Sequence, residues 1–449
     1  MKTIFISSFH PFISRNILYT PVISHILRER KDAQIVILVP DYKKEYFVKC
    51  FAGKRIAIEG VRTGGAPKFR TLFFKRMARM MLDTDTARIQ KRSKLHIEGG
   101  LFYFLVSYIA VGFGKFRLFR SVLRFLDYWF ADFERFNEAL FRWKPDLIVA
   151  TDVQNEYNVS LMQAARYYNI PAVAMVRSWD NLTSLQGMMR VAPKLLLVPT
   201  AQLKKEAILY HDIPEDYIRV VGIPHYDRYR GGVKIAREEF FNSMGLDPEK
   251  KLILYTTLGD RYLGTASVDQ AVLEVLKHID VNIVVRCHPG DTITLEHSFK
   301  TPATMIFDRP GVIFKQGNFG NREISADDDK KLEHELFYAD VVVLCASTIA
   351  IDAAVFGAPA IGVAFSGTPA SYWASPRRFY GYTHLKRVVK TGGIRLVGSK
   401  EELRREVDAY LRDPARDKKE REHMICQEDG FCDAESSERV ARIITQEVL

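Results

Sequence analysis

Short apolar runs alternate with helical sequence twice along this chain, and few architectures accommodate that rhythm. Residues 3–7 (Thr-Ile-Phe-Ile-Ser) have the pattern of a buried strand, residues 15–30 place Ile17, Leu18, Val22, Ile23, Ile26 and Leu27 at helical spacing, and residues 34–39 read as a second strand. Strand, helix and strand in that order predict parallel pairing through a right-handed crossover. The pattern returns at 146–150, 172–176 and 195–198. A second series runs through 251–256, 281–286, 311–314, 341–344 and 360–363. The expected fold class is therefore α/β with two doubly wound, Rossmann-like domains, and 449 residues is long for a single core.

The expected division is an N-terminal domain over 1–225, a linker over 226–245 that starts with a stretch rich in Arg, Tyr and Gly, and a second domain over 246–430. Residues 431–449 form a helical pattern expected to pack back on the first domain. The five cysteines are scattered without the close pairs of a zinc or dithiol site, which points to a reducing cytosol. The N-terminus meets Ser7, Ser8 and His10 too early for a signal-peptide core. Residues 101–113 are apolar but well short of the roughly 20 needed to span a bilayer. The run Asp327-Asp328-Asp329-Lys330-Lys331 reads as a solvated loop, and Asp83 and Asp85, on a basic helical stretch, do not read as a metal site.

In an open parallel sheet, ligands gather beyond the carboxyl ends of the strands. After 281–285 come Arg286, Cys287, His288, Pro289 and Gly290; the cation and the imidazole can both reach a phosphate, or His288 can simply tie down its loop. After 341–344 come Ser347, expected to cap a helix, then Thr348 and, one turn in, Asp352, placed to accept hydrogen bonds from a ribose. In the first domain, His10, Asp152 and Asp180 each follow a strand and are the candidate bases. Asp180 ranks first because Arg177, Trp179 and Asn181 surround it in sequence and Trp179 offers a face for a sugar. The competing reading of Asp180 and Asn181 is a turn that caps a following helix.

Taken together, Val220-Val221-Gly222-Ile223-Pro224-His225-Tyr226-Asp227, Arg286-Cys287-His288-Pro289, Ser347-Thr348 with Asp352 and Gly357-Ala358-Pro359, and Asp429-Gly430 with Glu435-Ser436-Ser437-Glu438-Arg439 resemble the donor half of GT-B glycosyltransferases. The likeness is to CDP-glycerol glycerophosphotransferases and to non-hydrolysing UDP-N-acetylglucosamine 2-epimerases, over roughly residues 218–445. It implies two Rossmann-like domains facing across a cleft. It also implies a nucleotide-diphosphate-sugar as co-substrate with no other cofactor and no metal, and donor contacts from Arg286, His288, Ser347, Thr348, Asp352 and Gly222. The ribose position is often Glu in this fold, whereas here it is Asp352.

Charge is placed unevenly. Between Pro67 and Phe130 stand 13 Lys and Arg against 4 Asp and Glu, interleaved with aromatic residues such as Phe69, Phe102, Phe116, Phe125 and Trp129. Basic, aromatic helices of this kind settle on anionic membrane surfaces, although the same aromatic residues could pack beneath the first domain. No nucleic-acid-binding module accompanies the charge. The leading expectation is transfer of a glycosyl or polyol-phosphate group to a lipid-linked or polysaccharide acceptor at the cytoplasmic face of the cell membrane, in surface glycan synthesis. The other two readings are a UDP-amino-sugar 2-epimerase and a non-catalytic nucleotide-sugar-binding protein.

Overall fold

The computed structural model describes residues 1–65, 68–184, 186–263, 267–289, 291–315 and 319–448. Pro67, where the basic segment begins, and Gly290 lie outside the described residues. The chain divides into two compact units. The first comprises Met1–Leu95, Gly99–Asp227 and Asp429–Leu449, and the second comprises Arg228–Glu428 together with His96–Glu98.

The first unit is built on a seven-stranded parallel sheet of β1 (Lys2–Ser7), β2 (Ala33–Pro40), β3 (Ile56–Val61), β4 (Leu147–Ala150), β5 (Ala172–Met175), β6 (Leu196–Val198) and β7 (Ile218–Val220). Its order is β3-β2-β1-β4-β5-β6-β7. Successive side chains feed opposite cores: Ile4 and Ile6 of β1 join Ile35 and Ile37 of β2 on one face, while Phe5 joins Val36 and Leu38 on the other. Burial on both faces explains why these strands read as continuous apolar runs.

The second unit carries a six-stranded parallel sheet of β8 (Leu252–Thr256), β9 (Asn282–Arg286), β10 (Met305–Asp308), β13 (Val341–Leu344), β14 (Ala360–Val363) and β15 (Ile394–Val397), in the order β10-β9-β8-β13-β14-β15. A separate antiparallel ladder joins β11 (Val312–Ile313) to β12 (Arg322–Glu323). In the first sheet the strand order reverses between β1 and β4, and in the second between β8 and β13. At each reversal the loops beyond the carboxyl ends diverge and leave the crevice in which such sheets bind ligands.

Several local expectations are corrected. The stretch 15–30 is not one helix: a wide helical turn over Ser14–Leu18 ends before Pro21, and a second helix runs over Val22–Glu29. Residues 312–313 form a ladder with β12 and do not join the parallel sheet; its edge strand is β10, whose last residue, Asp308, is tied to Arg286. The 327–331 charge run opens the helix Ala326–Tyr338 behind a Ser325–Asp328 capping box. Asp329 of that run is buried against Arg228 at 2.7 Å, and Lys331 lies 2.6 Å from Asp308. Asp83 and Asp85 are both held by Arg88, at 2.8 and 3.2 Å.

Candidate active site

Both sheets place expected site residues on loops at, or next to, their reversal points. In the first unit, β1 runs into Ser7-Ser8-Phe9-His10 and β4 into Thr151-Asp152, and the two loops are stitched together. Thr151 Oγ1 donates to the Ser7 carbonyl at 2.7 Å, and the Thr151 N–H donates to Ser7 Oγ at 3.1 Å.

Asp152 is buried there, and Arg177, arriving from the end of β5, donates through Nε to its Oδ2 at 2.7 Å. Asn181 Nδ2 donates to Oδ1 at 3.3 Å. Asn16 Nδ2 in turn donates to the Arg177 carbonyl at 3.3 Å. The structure thus brings Asp152, Arg177 and Asn181 into one cluster and leaves Asp180 half-buried beside it, its carbonyl accepting the Thr183 N–H at 3.2 Å. Asp180 precedes the short helical turn Asn181–Thr183, and its side chain makes no cap hydrogen bond there.

One expectation for this unit changes, and His10 is held by its own loop. Trp179 is buried, with 6% of its surface accessible, so its ring belongs to the packing of the loop and offers no open face to a sugar. His10 Nδ1 accepts the Phe12 N–H at 3.2 Å, which puts the proton of the neutral imidazole on Nε2. That hydrogen bond ties the ring to its own turn.

In the second unit, the loops after β8 and β9 are laced together. The Thr257 N–H donates to the Arg286 carbonyl at 3.1 Å, the His288 N–H to Thr257 Oγ1 at 3.3 Å, and the Asp260 N–H to the Thr292 carbonyl at 3.0 Å. Asp269 anchors the first of these loops from below, accepting from the N–H groups of Leu258 and Gly259 and from the Tyr255 hydroxyl at 2.6 Å. Burial raises the Asp269 carboxyl above its usual range, and those three hydrogen bonds pull against the rise. His288 is half-buried, with Nδ1 3.2 Å from Asp291 Oδ2. A carboxylate behind an imidazole fixes the ring's orientation.

Arg286 is placed differently from the expectation of a phosphate contact. It is buried, and its guanidinium donates to Asp308 Oδ2 at 2.7 Å, Glu335 Oε2 at 2.8 Å and the Asp328 carbonyl at 2.9 Å. Burial pushes the Glu335 carboxyl up to about 7 even beside this cation, which Asp308 shares. Such a residue holds the base of the His288 loop in place and has its donors committed elsewhere.

Beyond β13, Ala346 adopts a left-handed backbone (φ +49°) and its N–H donates to the Tyr380 hydroxyl at 3.2 Å. Ser347 caps the next helix as expected: its Oγ accepts the Ile349 N–H at 3.3 Å, and Thr348, already in helical conformation, makes no side-chain cap bond of its own. Asp352 is buried inside that seven-residue helix.

Gly222 falls outside this unit altogether. It lies in the first unit with φ +82°, where a Cβ would stand 2.3 Å from Ser436 Oγ. Thr257, Asp291, Glu335 and Tyr380 were missed in the sequence; the Thr-Thr-Leu-Gly-Asp run closing β8 is the signal that could have flagged the first.

No protein-family model and no curated protein sequence matches the chain. Solved structures do. A UDP-GlcNAc 2-epimerase from Neisseria meningitidis bound to UDP-GlcNAc is 12% identical, with a TM-score of 0.54 over 98% of this chain and 99% of that one. The glycotransferase of kitacinnamycin is also 12% identical, with a TM-score of 0.53 over 100% and 99%. The fold is GT-B. The UDP-GlcNAc 2-epimerase of Methanocaldococcus jannaschii in complex with UDP-GlcNAc and UDP shares the GT-B fold at 15% identity, with a TM-score of 0.52 over 99% of each chain. In GT-B terms, the loops carrying His288 and Ser347 belong to the second sheet and those carrying His10, Asp152 and Asp180 to the first.

Proposed function

We propose that the second unit binds a nucleotide-diphosphate donor and that the chain transfers its glycosyl or polyol-phosphate group to an acceptor held at the inner face of the cell membrane, during assembly of a surface glycan. The observation that carries this reading is the laced pair of loops at the end of β8 and β9, where His288 is backed by Asp291 beside the reversal point of a GT-B sheet. An imidazole N–H there can donate to a diphosphate oxygen. Ser347 and Thr348 complete the diphosphate contacts, and the buried Asp352 and Arg286 act as positioning residues. On the first unit Asp180 is the base, Asp152 orients Arg177 and Asn181 around it, and His10 donates a hydrogen bond to the acceptor or leaving group. No metal takes part in this scheme. Structural neighbours solved with UDP or UDP-GlcNAc support a uridine donor.

The test is thermal denaturation with UDP, CDP, GDP and TDP. A ligand at one hundred times its Kd stabilises the folded state by about 2.7 kcal/mol, enough to read as a clear shift. One nucleotide should raise the melting temperature, and His288→Ala should abolish the rise without changing the unliganded melting point. Asp180→Asn should keep the nucleotide response and lower transfer by roughly 100-fold or more. If none of the four nucleotides shifts the transition, the donor assignment is wrong.

The epimerase neighbours favour one second reading, a UDP-amino-sugar 2-epimerase. Incubating the protein with UDP-GlcNAc alone in deuterated water separates the two. An epimerase exchanges the sugar C2 proton without any acceptor, and a transferase leaves it untouched.

A further inference from the structure

Between β3 and the helix Asn137–Trp143 that leads into β4, the chain inserts four helices, Phe69–Met81, Asp85–Glu98, Leu101–Gly114 and Arg117–Trp129. The first, third and fourth share a small core with Phe74, Met81, Ala110 and Leu123. The last two meet at a bend of 107° and bury only a narrow stripe, Ser107, Ala110 and Gly114 on one and Leu123 and Asp127 on the other. Their outer side is crowded with exposed apolar residues, among them Phe102 (82% accessible), Ile109, Phe116, Leu118 (70%), Phe125 and Trp129 (72%). Surface apolar residues normally stand singly; a contiguous set marks a surface made to be covered.

The charges explain what covers it. Arg120 and Arg124, which in sequence alternate with the aromatic residues, turn inward. Arg120 donates to the Tyr210 carbonyl at 3.1 Å and pairs with Asp212 at 3.2 Å, while Arg124 donates to the carbonyls of Met189 and His211. Asp127 is buried against Arg190 at 3.1 Å. These groups rivet the hairpin to the first unit and remove charge from its outer face. Exposed cations flank that face: Lys115, with Asp83 4.0 Å from its ammonium, and Arg117 at the bend, and Lys94, whose ammonium lies 4.5 Å from the Tyr103 ring; Glu98, which ends the preceding helix, is the exposed acid beside Leu101 in sequence. Asp127 is the one acid between Gly100 and Phe130, and it is buried.

We propose that Leu101–Phe130 is a wedge that lies in the interface of a bilayer containing anionic lipid, its apolar side among the acyl chains and Lys94, Lys115 and Arg117 at the phosphate level. Helices of 14 and 13 residues reach about 20 Å each, short of a hydrocarbon core of roughly 30 Å, so neither crosses it alone, and the proposed wedge lays the bent pair in the plane. No single helix among the described residues is long and apolar enough to cross a membrane. A second copy of the chain fits this face less well, because a two-fold contact centred on the bend would oppose Lys115 and Arg117 to their own counterparts. The wedge rests on the membrane-held acceptor of the proposed function for its purpose, but its physical basis is independent of any donor.

The full chain is mixed with vesicles of phosphatidylcholine alone or with added phosphatidylglycerol, then sedimented. Binding is expected to the mixed vesicles, weakened by salt. Phe125→Ser with Trp129→Ser should reduce it at least tenfold while the melting temperature stays put, because both side chains are already exposed. Lys115→Glu with Arg117→Glu should erase the preference for anionic lipid. Lipid with brominated acyl chains should quench the Trp129 fluorescence, and Trp129→Phe should remove that component. Absence of sedimentation with either vesicle overturns the wedge, as does a solution dimer that the Phe125, Trp129 variant dissolves. Nucleotide stabilisation measured on the same samples keeps the two claims apart. Vesicle failure with intact nucleotide binding removes the wedge alone, and the converse removes the donor alone.

Discussion

Arg286 illustrates how a motif residue can be read correctly as important and wrongly as a ligand contact. In sequence it is a cation at a strand end; in the structure Asp308 and Glu335 claim its guanidinium. Nothing in residues 282–290 announces acids that arrive 22 and 49 positions later, and the same holds for the Arg177–Asp152 pair and the burial of Trp179. Arg286→Ala would strand two buried acids, and a loss of about 3–5 kcal/mol is expected in denaturant unfolding. Glu335 adds a pH signature. Its folded-state value of about 7 exceeds the ordinary 4.5 because burial disfavours the charge. Its contribution to stability is therefore complete below pH 4.5 and is lost as pH rises through about 7. Glu335→Gln should keep the hydrogen bond to Arg286 and flatten the fall in melting temperature over that interval. A variant whose pH profile matches that of the parent would show that the carboxyl does not titrate there.

At the scale of elements, strands buried on both faces were plain in the sequence, because β1, β2, β4, β8, β9, β13 and β14 are nearly unbroken apolar runs. β3 was not, since its Glu59 is buried only through Arg142 and the Trp143 indole at 2.9 Å, and those lie beyond the four inserted helices. β7, β10 and β15 are short or carry charge, and only pairing with a neighbour reveals them. The helix Ser436–Arg442 shows a different use of motif residues. Both carboxylate oxygens of Asp227 accept its leading N–H groups, from Ser436 at 3.1 Å and Ser437 at 2.7 Å, and Gly222 lets the backbone approach. Gly430, at φ +90°, makes the matching approach to the Pro199 carbonyl. Segments that resembled a donor-site signature thus fasten the end of the chain to β7. Gly222→Ala should cost more than about 1 kcal/mol, through the left-handed backbone and the clash with Ser436, and Asp227→Asn about 1–2 kcal/mol through the weakened cap. An unchanged denaturation midpoint in Gly222→Ala would contradict this role.

For the molecule as a whole, the last helices complete the first core: Val440, Ala441, Ile443 and Ile444 pack with Ile26, Leu197 and Val221. Burying each of the larger side chains is worth about 1.5–3 kcal/mol. A chain ending at Glu428 should therefore expose the first unit to protease while residues 228–428 persist as a resistant fragment, read by limited digestion and mass spectrometry. Equal resistance of both units would refute the dependence. The chain leaves the first unit after Asp227 and re-enters it at Asp429, so order of construction and order of completion differ. On a ribosome, residues 228–428 emerge whole before Ser436 exists, and domains fold as units as they appear. The unit begun first is finished last: through most of its translation it waits with the seats of Val440 and Ile444 open. A pause or premature stop between Asp429 and Ser436 would leave a folded second unit joined to an unfinished first, a natural substrate for chaperones.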